Sequence, residues 1–279
     1  MIADNTVQKD WIRQHYDLVT PFYWLFWGRH IHHGLWTADE SPAAAQQRLT
    51  ETLGSLAGLH GGEEVLDVGS GMGGSAIHLA RTLGCRVTGI TLSPVQRAWA
   101  SLSARWHGVS RRTVFRCEDA EKVEFEAGRF DVLWSIECTE HLFDKPAFFR
   151  RAAAWLRPGG RMAVCAWLAG DQLDTPEQVR QVEKVCEGFF CPSLATRDEY
   201  VRWFEQSNLV VQRADDWTDR VARTWEICRS RVRRTGFRRL AGWIDGKTQM
   251  FLDRFQTILD AYRSGAMQYG CFIAEKKAV

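Results

Sequence analysis

The sequence predicts an α/β fold built on a mostly parallel, seven-stranded sheet, and three observations support it. The first is a short apolar strand, Val65–Val68, followed by a turn with four glycines and a helical pattern that opens at Ser75. The second is the alternation of strand and helix patterns that follows, which is typical of a parallel sheet covered on both faces. The third is a length of 279 residues, enough for one such domain with additions.

Residues 1–60 precede this first strand and are predicted to form an N-terminal helical lid segment. The stretch Trp11–Trp27 is crowded with aromatic side chains. Thr20 followed by Pro21 predicts that a helix starts there, with Thr20 as its cap. A second, alanine-rich helix is predicted over Ser41–Leu56.

The predicted core spans residues 61–167, and ligands of such sheets bind outside the carboxyl ends of the strands. After the glycine turn, four more strands are predicted at Cys85–Ile90, Thr113–Cys117, Phe130–Ile136 and Arg161–Trp167. Helical patterns cover Pro94–Trp106 and Lys145–Leu156.

Beyond this core, the sequence predicts helical cap insertions over residues 168–265, interrupted by a core strand near 208–216. A last core strand is predicted within residues 266–279. The second part of the cap is a long helical pattern from Trp217 to about Ala261. That pattern should break at two glycines, Gly236 and Gly242.

Composition and charge exclude several classes of protein. A net charge of +2 gives no global field for nucleic acid, and no apolar run reaches the length of a membrane span. The N-terminus lacks a signal-peptide pattern and the eight cysteines form no Cys-x-x-Cys pair, so a cytoplasmic protein with reduced core cysteines is predicted. The basic run Arg229–Arg239 is expected to be a solvated helix face, although transient contact with a membrane surface stays open.

Neither oligomeric state nor metal binding has a positive signal. Monomer and homodimer both stay open. Three histidines lie close together at positions 30, 32 and 33. No metal site is predicted from them, because no partner ligands occur elsewhere at the usual spacing.

The strand and turn Val65-Leu-Asp-Val-Gly-Ser-Gly-Met-Gly-Gly74 carry the first chemical signal. Bare backbone and the amides of a helix N-terminus suit a ligand that lies against them. The turn matches the dinucleotide fingerprint Gly69-x-Gly71-x-x-Gly74, which keeps a nicotinamide-dependent oxidoreductase open. Asp67 favours another ligand, because a carboxylate there suits the ammonium of a methionyl group better than a pyrophosphate. The motif Asp-x-Gly-x-Gly-x-Gly resembles the first motif of class I S-adenosylmethionine (SAM) methyltransferases, which have a Rossmann-like fold.

Residues at the ends of successive strands are the candidate SAM contacts. No acid ends the second strand, so Thr91 and Gln96 are the candidates for binding the ribose, and the same absence disfavours a nicotinamide cofactor. Asp119 is placed to accept from the adenine amino group, with the Ala120 backbone at the ring edge. The full predicted set is Asp67, Gly69, Ser70, Gly71, Thr91, Leu92, Gln96, Asp119, Ala120 and Ser135.

Longer segments resemble gamma-tocopherol methyltransferases and their relatives, which include plant alkaloid N-methyltransferases. They are Ile90-Thr-Leu-Ser-Pro-Val-Gln96, Trp134-Ser-Ile-Glu-x-x-Glu-His141 and Trp27-Gly-x-His-x-His-His-Gly34. The stretch His15-Tyr-Asp-Leu-Val-Thr-x-Phe-Tyr23 is also similar to sterol C-methyltransferases. The resemblance implies a SAM-dependent enzyme with a helical cap over its site and S-adenosylhomocysteine as product. It leaves the acceptor unfixed, because the family accepts chromanols, alkaloids, sterols and other isoprenoids.

His141 is the main candidate for a catalytic proton acceptor. Methylation of carbon or nitrogen must release a proton, and a neutral imidazole suits that role near pH 7. Glu137 and Glu140 are rival bases, or groups that hold His141 in one tautomer. Tyr16 either closes over the cofactor or orients the acceptor. Aromatic side chains are predicted to wall the acceptor cavity: Tyr16, Tyr23, Trp27 and Trp217.

The sequence thus predicts a class I methyltransferase that moves a methyl group from SAM to a lipophilic small molecule, most readily to carbon. Transfer to nitrogen or oxygen of a natural product is the nearest alternative. A nicotinamide-dependent oxidoreductase and a non-catalytic SAM-binding protein are the alternatives from other classes. The partner is expected to be a lipophilic small molecule, not a nucleic acid.

Overall fold

The structure is a computed structural model that describes residues 1–4, 6–26, 28–235 and 246–278. Its strands are β1 Ile2–Ala3, β2 Glu64–Val68, β3 Arg86–Thr91, β4 Thr113–Cys117, β5 Phe130–Ile136, β6 Leu156–Ala169, β7 Ser193–Leu194, β8 Leu209–Asp216 and β9 Met267–Lys276. Its α-helices are α1 Lys9–Phe26, α2 Pro42–Leu56, α3 Gly74–Thr82, α4 Pro94–Trp106, α5 Lys145–Trp155, α6 Pro176–Phe189, α7 Arg197–Gln206, α8 Thr218–Val221, α9 Arg223–Thr235 and α10 Gly246–Arg263.

Seven strands form one sheet in the order β4-β3-β2-β5-β6-β9-β8. The strands from β4 to β6 are parallel, and β9 is antiparallel to both of its neighbours. The strand order reverses between β2 and β5, which is where sheets of this kind bind ligands. The predicted seven-stranded, mostly parallel sheet is therefore confirmed. A two-stranded ribbon of β1 and β7, which the sequence pattern did not predict, lies apart from it.

Alternate residues of the central strands enter two hydrophobic layers, as the period of a strand requires. Val65 of β2 and Trp134 of β5 belong to one layer, with residues of α2, α3, α6 and α10. Leu66 and Leu133 belong to the other layer, with residues of α5 and α7. Both faces of the sheet are thus covered, and the loops at the carboxyl ends of the strands remain to build a site.

Helix α1 corrects one prediction, because it begins at Lys9 and runs through Thr20 and Pro21 instead of starting there. Ile12 and Val19 are both buried, and because they are seven residues apart they lie on the same face of the helix. The Thr20 hydroxyl donates to the Tyr16 carbonyl at 2.6 Å. Burial of this upstream face therefore outweighs the local start signal of Thr-Pro.

The predicted cap also divides differently from the sequence pattern. Helix α7 packs on the sheet, since Tyr200, Trp203 and Phe204 share the hydrophobic layer of α5. The long helical pattern after Trp217 contains two helices, α8 and α9, before residue 236. The predicted breaks at Gly236 and Gly242 lie outside the described residues.

Two features bear on the predictions from composition. In the described ranges, no helix combines the length and apolarity needed to span a bilayer. Six of the eight cysteines are buried and all are free thiols, whereas Cys138 is half-buried and Cys117 is exposed.

Candidate active site

A cavity that opens to solvent lies over the glycine turn between β2 and α3. Asp67 lines it, and the side chain is buried with no hydrogen-bond partner for Oδ2. Burial raises the pKa of this carboxyl to about 7. A buried carboxylate oxygen without a partner is costly, so a cationic ligand group at this position would stabilise it.

The glycines of the turn are required by close approach and by backbone conformation. A side-chain carbon at Gly69 would collide with the Cys138 side chain, and φ is +77°. At Gly71, φ is +51°, and the carbon would meet only the Gly69 carbonyl oxygen at 3.9 Å. The space beside Gly71 is therefore open on the side where a ligand would lie, as the methyltransferase motif requires.

The N-terminal segment closes the other side of this cavity. Residues 29–32 line it together with the glycine turn. A side-chain carbon at Gly74 would lie 2.6 Å from the Arg29 carbonyl oxygen and 2.9 Å from His30 Nδ1. His30 and His32 lie 3.1 Å apart between Nδ1 and Nε2, and burial lowers the pKa of both.

The residues predicted for the adenosine half lie under helix α1. Lys9 donates to both carboxylate oxygens of Asp119, at 3.1 and 2.9 Å, and to Glu121 at 2.6 Å. The Ser93 hydroxyl, at the end of β3, donates to Asp17 of α1 at 2.5 Å. Helix α1 thus supplies an acid where the strand itself has none.

Four other predicted cofactor contacts are engaged within the protein. Thr91 donates to the Gln96 side-chain oxygen at 2.8 Å, and both residues are buried. The Ala120 carbonyl accepts from Arg151 at 3.0 Å. Ser135 is fully buried and donates to the Val68 carbonyl at 3.2 Å, so it joins two strands instead of facing the cavity.

The remaining two are placed differently from each other. Leu92 packs against Val7, Ile12 and Phe190. Ser70 lines the cavity, and its hydroxyl donates to the Ile90 carbonyl at 3.3 Å.

A second cavity, which also opens to solvent, lies beside the first and shares Ile31 and His32 with it. All four predicted catalytic residues line this cavity: Tyr16, Glu137, Glu140 and His141. Aromatic side chains of Trp167, Phe189 and Trp225 form much of its wall.

His141 is held in one tautomer. Its Nδ1 lies 3.1 Å from the Phe190 carbonyl oxygen, which can only accept, so Nδ1 carries the proton. Nε2 is then an acceptor, and it lies 2.9 Å from the Tyr16 hydroxyl, which donates to it. Burial lowers the pKa of His141 to about 4, so the imidazole is neutral at pH 7.

Glu137 anchors the N-terminal segment to the sheet. Its Oε1 accepts from the His33 backbone N–H at 2.8 Å, from His33 Nδ1 at 2.9 Å and from the Tyr269 hydroxyl at 2.8 Å. Burial opposes the charge, but the His33 interactions hold the pKa of Glu137 below its ordinary value. Its φ of 52° is in the left-handed region, and this strained backbone persists because these bonds fix it.

Glu140 has the opposite environment. It is 1% exposed, and its Oε2 has no partner. Burial, reinforced by the charge of Glu137, raises the pKa of Glu140 to about 8, so it is mostly protonated at pH 7. The two glutamates that sequence reasoning treated as equivalent therefore differ in charge.

Lys145 is a site residue that sequence reasoning missed. Its buried ammonium donates to the carbonyls of Leu142 and Ser193 at 2.8 and 3.0 Å, and to the Ser193 hydroxyl at 2.7 Å. It thereby fixes the loop that carries Glu140 and His141. A lysine in the first turn of a helix gives no local signal of this role.

Only some of the residues predicted to wall the acceptor cavity can be placed there. Trp217 is buried among the core residues under an Arg220 guanidinium, and it does not line the cavity. Trp27 and the side chain of Tyr23 lie outside the described residues. Trp225 takes the position expected of Trp217, because α9 rather than α8 faces the loop after β5. In the part of the chain that the structure describes, no group of three His, Cys, Asp or Glu side chains could hold a metal.

Comparison with known proteins gives a consistent result. The family profile described as mycolic acid cyclopropane synthetase matches residues 3–268. Tocopherol O-methyltransferase of Arabidopsis thaliana, a chloroplastic protein, is 31% identical over 288 residues, covering 95% of this chain and 81% of the relative. Sterol 24-C-methyltransferase of Saccharomyces cerevisiae is 36% identical over 160 residues, covering 57% of this chain and 42% of the relative. The cyclopropane synthase MmaA2 of Mycobacterium tuberculosis has the same fold, with a TM-score of 0.85, 19% identity and coverage of 98% and 100%.

Proposed function

The chain belongs to the mycolic acid cyclopropane synthetase family, whose members are SAM-dependent methyltransferases. On that premise we propose that it methylates a carbon atom of a lipophilic acceptor. The acceptor would occupy the second cavity, which His141 lines, beside a cofactor in the first cavity over the glycine turn. His141, assisted by Tyr16, would take up the proton that the product releases.

The groups that line the first cavity match those needed to bind the methionyl part of SAM. Asp67 has an unpartnered carboxylate oxygen for the methionyl ammonium, and Gly71 leaves its side open. Thr91, Gln96 and Asp119 lie outside this cavity and are bonded to each other or to Lys9, so they would have to give up or share these partners to hold the ribose and adenine. SAM supplies a methyl group already activated on a sulfonium, so the protein's part is alignment, exclusion of water and proton transfer.

The second cavity suits an apolar acceptor that becomes positively charged. Trp167, Phe189 and Trp225 form the aromatic part of its wall, with 5.0 Å between the ring centroids of Trp167 and Phe189 and 5.3 Å between those of Phe189 and Trp225. Histidines, the two glutamates, Tyr16 and Ile31 form the rest. Aromatic faces attract cations, and apolar walls bind lipophilic molecules with few polar anchors. The named substrates of the relatives, a tocopherol and a sterol, are of this lipophilic class.

The low basicity of His141 is the observation that favours carbon. A base with a pKa of about 4 cannot readily ionise a hydroxyl before transfer. For a phenol with a pKa of about 10, six units correspond to roughly 8 kcal/mol. Methyl transfer to an alkene or an electron-rich ring leaves a carbocation, which is strongly acidic and loses its proton even to a weak base. Direct methylation of a neutral hydroxyl would also leave a strongly acidic oxonium ion, so the low basicity of His141 disfavours those acceptors that must ionise before transfer.

Tyr16 connects His141 to the cavity. The hydroxyl donates to Nε2, so a proton taken up by the hydroxyl oxygen can pass to the imidazole. Both atoms are placed by long-range contacts, because Tyr16 comes from α1 and His141 from the loop after β5. Closure of α1 on the sheet therefore assembles the proton acceptor.

The test is to incubate the enzyme with methyl-labelled SAM and a lipid extract of the source cell, with a chromanol and a sterol as defined probes. Mass spectrometry identifies the labelled product, and NMR of the isolated product assigns the methylated atom. A label attached to carbon supports the proposal. A label on oxygen or nitrogen, or transfer only to water-soluble acceptors, would contradict it.

A further inference from the structure

The chain segment that contains helix α4 carries a concentrated positive charge. Residues 68–117 contain seven arginines and neither aspartate nor glutamate, in a chain whose net charge is +2. Arg86 and Arg116 pair with Glu64 and Glu118. The other five are exposed, and they form no ion pair within the described residues: Arg81, Arg97, Arg105, Arg111 and Arg112.

Helix α4, in the middle of this segment, turns its large apolar side chains outward. Val95, Trp99, Leu102 and Trp106 are spaced by four, three and four residues, which places them within an arc of about 60°. Leu102 is 67% exposed and Trp106 is 87% exposed. The inward face of the helix is small and partly polar, with Gln96, Ala100 and Ala104 buried.

Helix α1 extends this apolar stripe. Trp24 is 50% exposed, and its ring centroid lies 5.6 Å from that of Trp99. Trp24, Trp99, Leu102 and Trp106 line one broad, open groove of about 2,380 Å³, together with Arg29 and Arg81. Among the described residues, no acidic side chain lines the groove, and the carboxylate of Glu51 lies 3.7 Å from His78 of its lining.

We propose that this face, which we call the α4 face (Trp24, Val95, Trp99, Leu102 and Trp106 with the surrounding arginines), docks on an anionic lipid bilayer. Tryptophan and leucine side chains on a helix surface insert at the boundary between headgroups and acyl chains. Arginines around them bind lipid phosphates and are attracted by the negative surface potential. The apolar stripe therefore matches the boundary between headgroups and acyl chains, and the unpaired arginines match the anionic lipid phosphates.

A second copy of the chain fits this face less well. A two-fold interface brings the same patch of each subunit together, so the arginines of one copy would lie against those of the other. The tryptophans of this face could stack on nucleic acid bases, but the exposed aliphatic side chains of Val95 and Leu102 offer no stacking surface, whereas both kinds of side chain suit a lipid interface.

The α4 face adjoins the cofactor cavity. Arg29, His30, Met72 and Gly74 line both the groove and that cavity. Docking would therefore place the active-site edge of the sheet near the membrane. The inference goes beyond the proposed methylation and stands independently of it, since docking requires neither cofactor nor acceptor.

The experiment is co-flotation of the full-length protein with vesicles, in the absence of SAM and acceptor. One set of vesicles is phosphatidylcholine and the other is an equal mixture of phosphatidylcholine and phosphatidylglycerol. The wild type should bind the mixed vesicles more tightly, by roughly 5-fold for each arginine engaged, and salt should weaken binding. The double variant Leu102→Ser, Trp106→Ser should lose about tenfold or more of its affinity, because both side chains would lie in the interface.

Matched variants separate charge from apolar insertion. Arg81→Gln, which changes an arginine of the groove, combined with Arg105→Gln should reduce binding to mixed vesicles only. Val210→Ser and Arg202→Gln, which change an exposed valine and an exposed arginine near the opposite edge of the sheet, should leave binding unchanged. Thermal unfolding checks that every variant is folded.

Three results would overturn the proposal. One is equal binding by wild type and the Leu102→Ser, Trp106→Ser variant. Another is a concentration-dependent dimer that this variant abolishes, which would assign the face to a second copy of the chain. The third is tighter binding to a short RNA than to mixed vesicles, with loss of both in the arginine variant.

Discussion

The substitution His141→Asn tests the proposed proton acceptor with little structural disturbance. The asparagine amide can still donate to the Phe190 carbonyl, which His141 Nδ1 contacts at 3.1 Å. It has no basic nitrogen at the position of Nε2, so the Tyr16 hydroxyl loses its acceptor. The change therefore removes the base and keeps the bond that orders the loop.

The expected loss in turnover is about 10²–10⁴-fold, the range for removing a positioned general base. That range corresponds to roughly 3–5.5 kcal/mol in the activation free energy. SAM affinity should stay within about twofold, because His141 lines the acceptor cavity and not the cofactor cavity. Tyr16→Phe should cause a similar loss, and the double variant should add little, since both residues act in one proton path.

The pH profile identifies the base. Turnover at saturating SAM should be flat from neutral pH down to about 5 and fall as pH drops through about 4, where His141 becomes protonated. If Glu140 is the base, turnover should instead rise with pH through about 8, where that carboxyl ionises. Single-turnover kinetics with labelled SAM measure the chemical step directly.

Folding stability gives an independent check on the same pKa. The folded-state pKa of His141 lies below its unfolded value, so its contribution is full above about pH 6.5 and is lost as pH falls toward about 4. The wild type should lose roughly 3 kcal/mol more than His141→Asn across that window. Turnover of His141→Asn within a few-fold of wild type, with an unchanged pH profile, would refute the role of His141.

The remaining predictions concern the cofactor. Gly71→Val should abolish SAM binding in a folded protein, because its side chain would fill the open space beside the turn, and calorimetry with unchanged affinity would contradict this. SAM affinity should rise with pH by up to about tenfold per unit below pH 7, as the Asp67 carboxyl ionises, and Asp67→Asn should flatten that dependence. Asp119→Ala should weaken SAM by roughly 1–3 kcal/mol, with Lys9→Met as control. An equal loss in Lys9→Met would mean that Asp119 acts by holding α1 and not by contacting adenine.

The central fold was predictable because its signals are local. Val65–Val68 is a buried apolar run ended by glycines, and the structure has β2 at Glu64–Val68. Pro94–Trp106 was predicted from a serine cap and a proline at the first position, and α4 has those bounds with Ser93 as its cap. Each of these features depends on residues within a few positions of one another.

The N-terminal helix was placed wrongly because the strongest local signal misled. Thr20-Pro21 is a good helix start when nothing upstream competes. Here Lys9 and Asp17 bind groups from the sheet, and Ile12 packs on Phe190, so the helix continues through Pro21. Asp17 contacts a residue 76 positions away in the sequence, and Lys9 contacts one 110 positions away. No local sequence pattern indicates such contacts.

For the candidate site, the identity of the residues could be predicted from the sequence, whereas their charges could not. Residue types at strand ends were enough to nominate Glu137, Glu140 and His141, and the structure brings all three to one cavity. Their charges were not predictable, because Glu137 is ionised by its bonds to His33, whereas Glu140 stays protonated for lack of any such partner. The two glutamates of one short loop therefore differ in charge and His141 beside them is neutral, because of the side chains that fold against them from distant parts of the chain. A proton acceptor of low basicity beside a protonated carboxyl is suited to an intermediate that is itself strongly acidic, and it is poorly suited to an acceptor that must ionise before transfer. The carbocation of the proposed carbon methylation is an intermediate of the first kind.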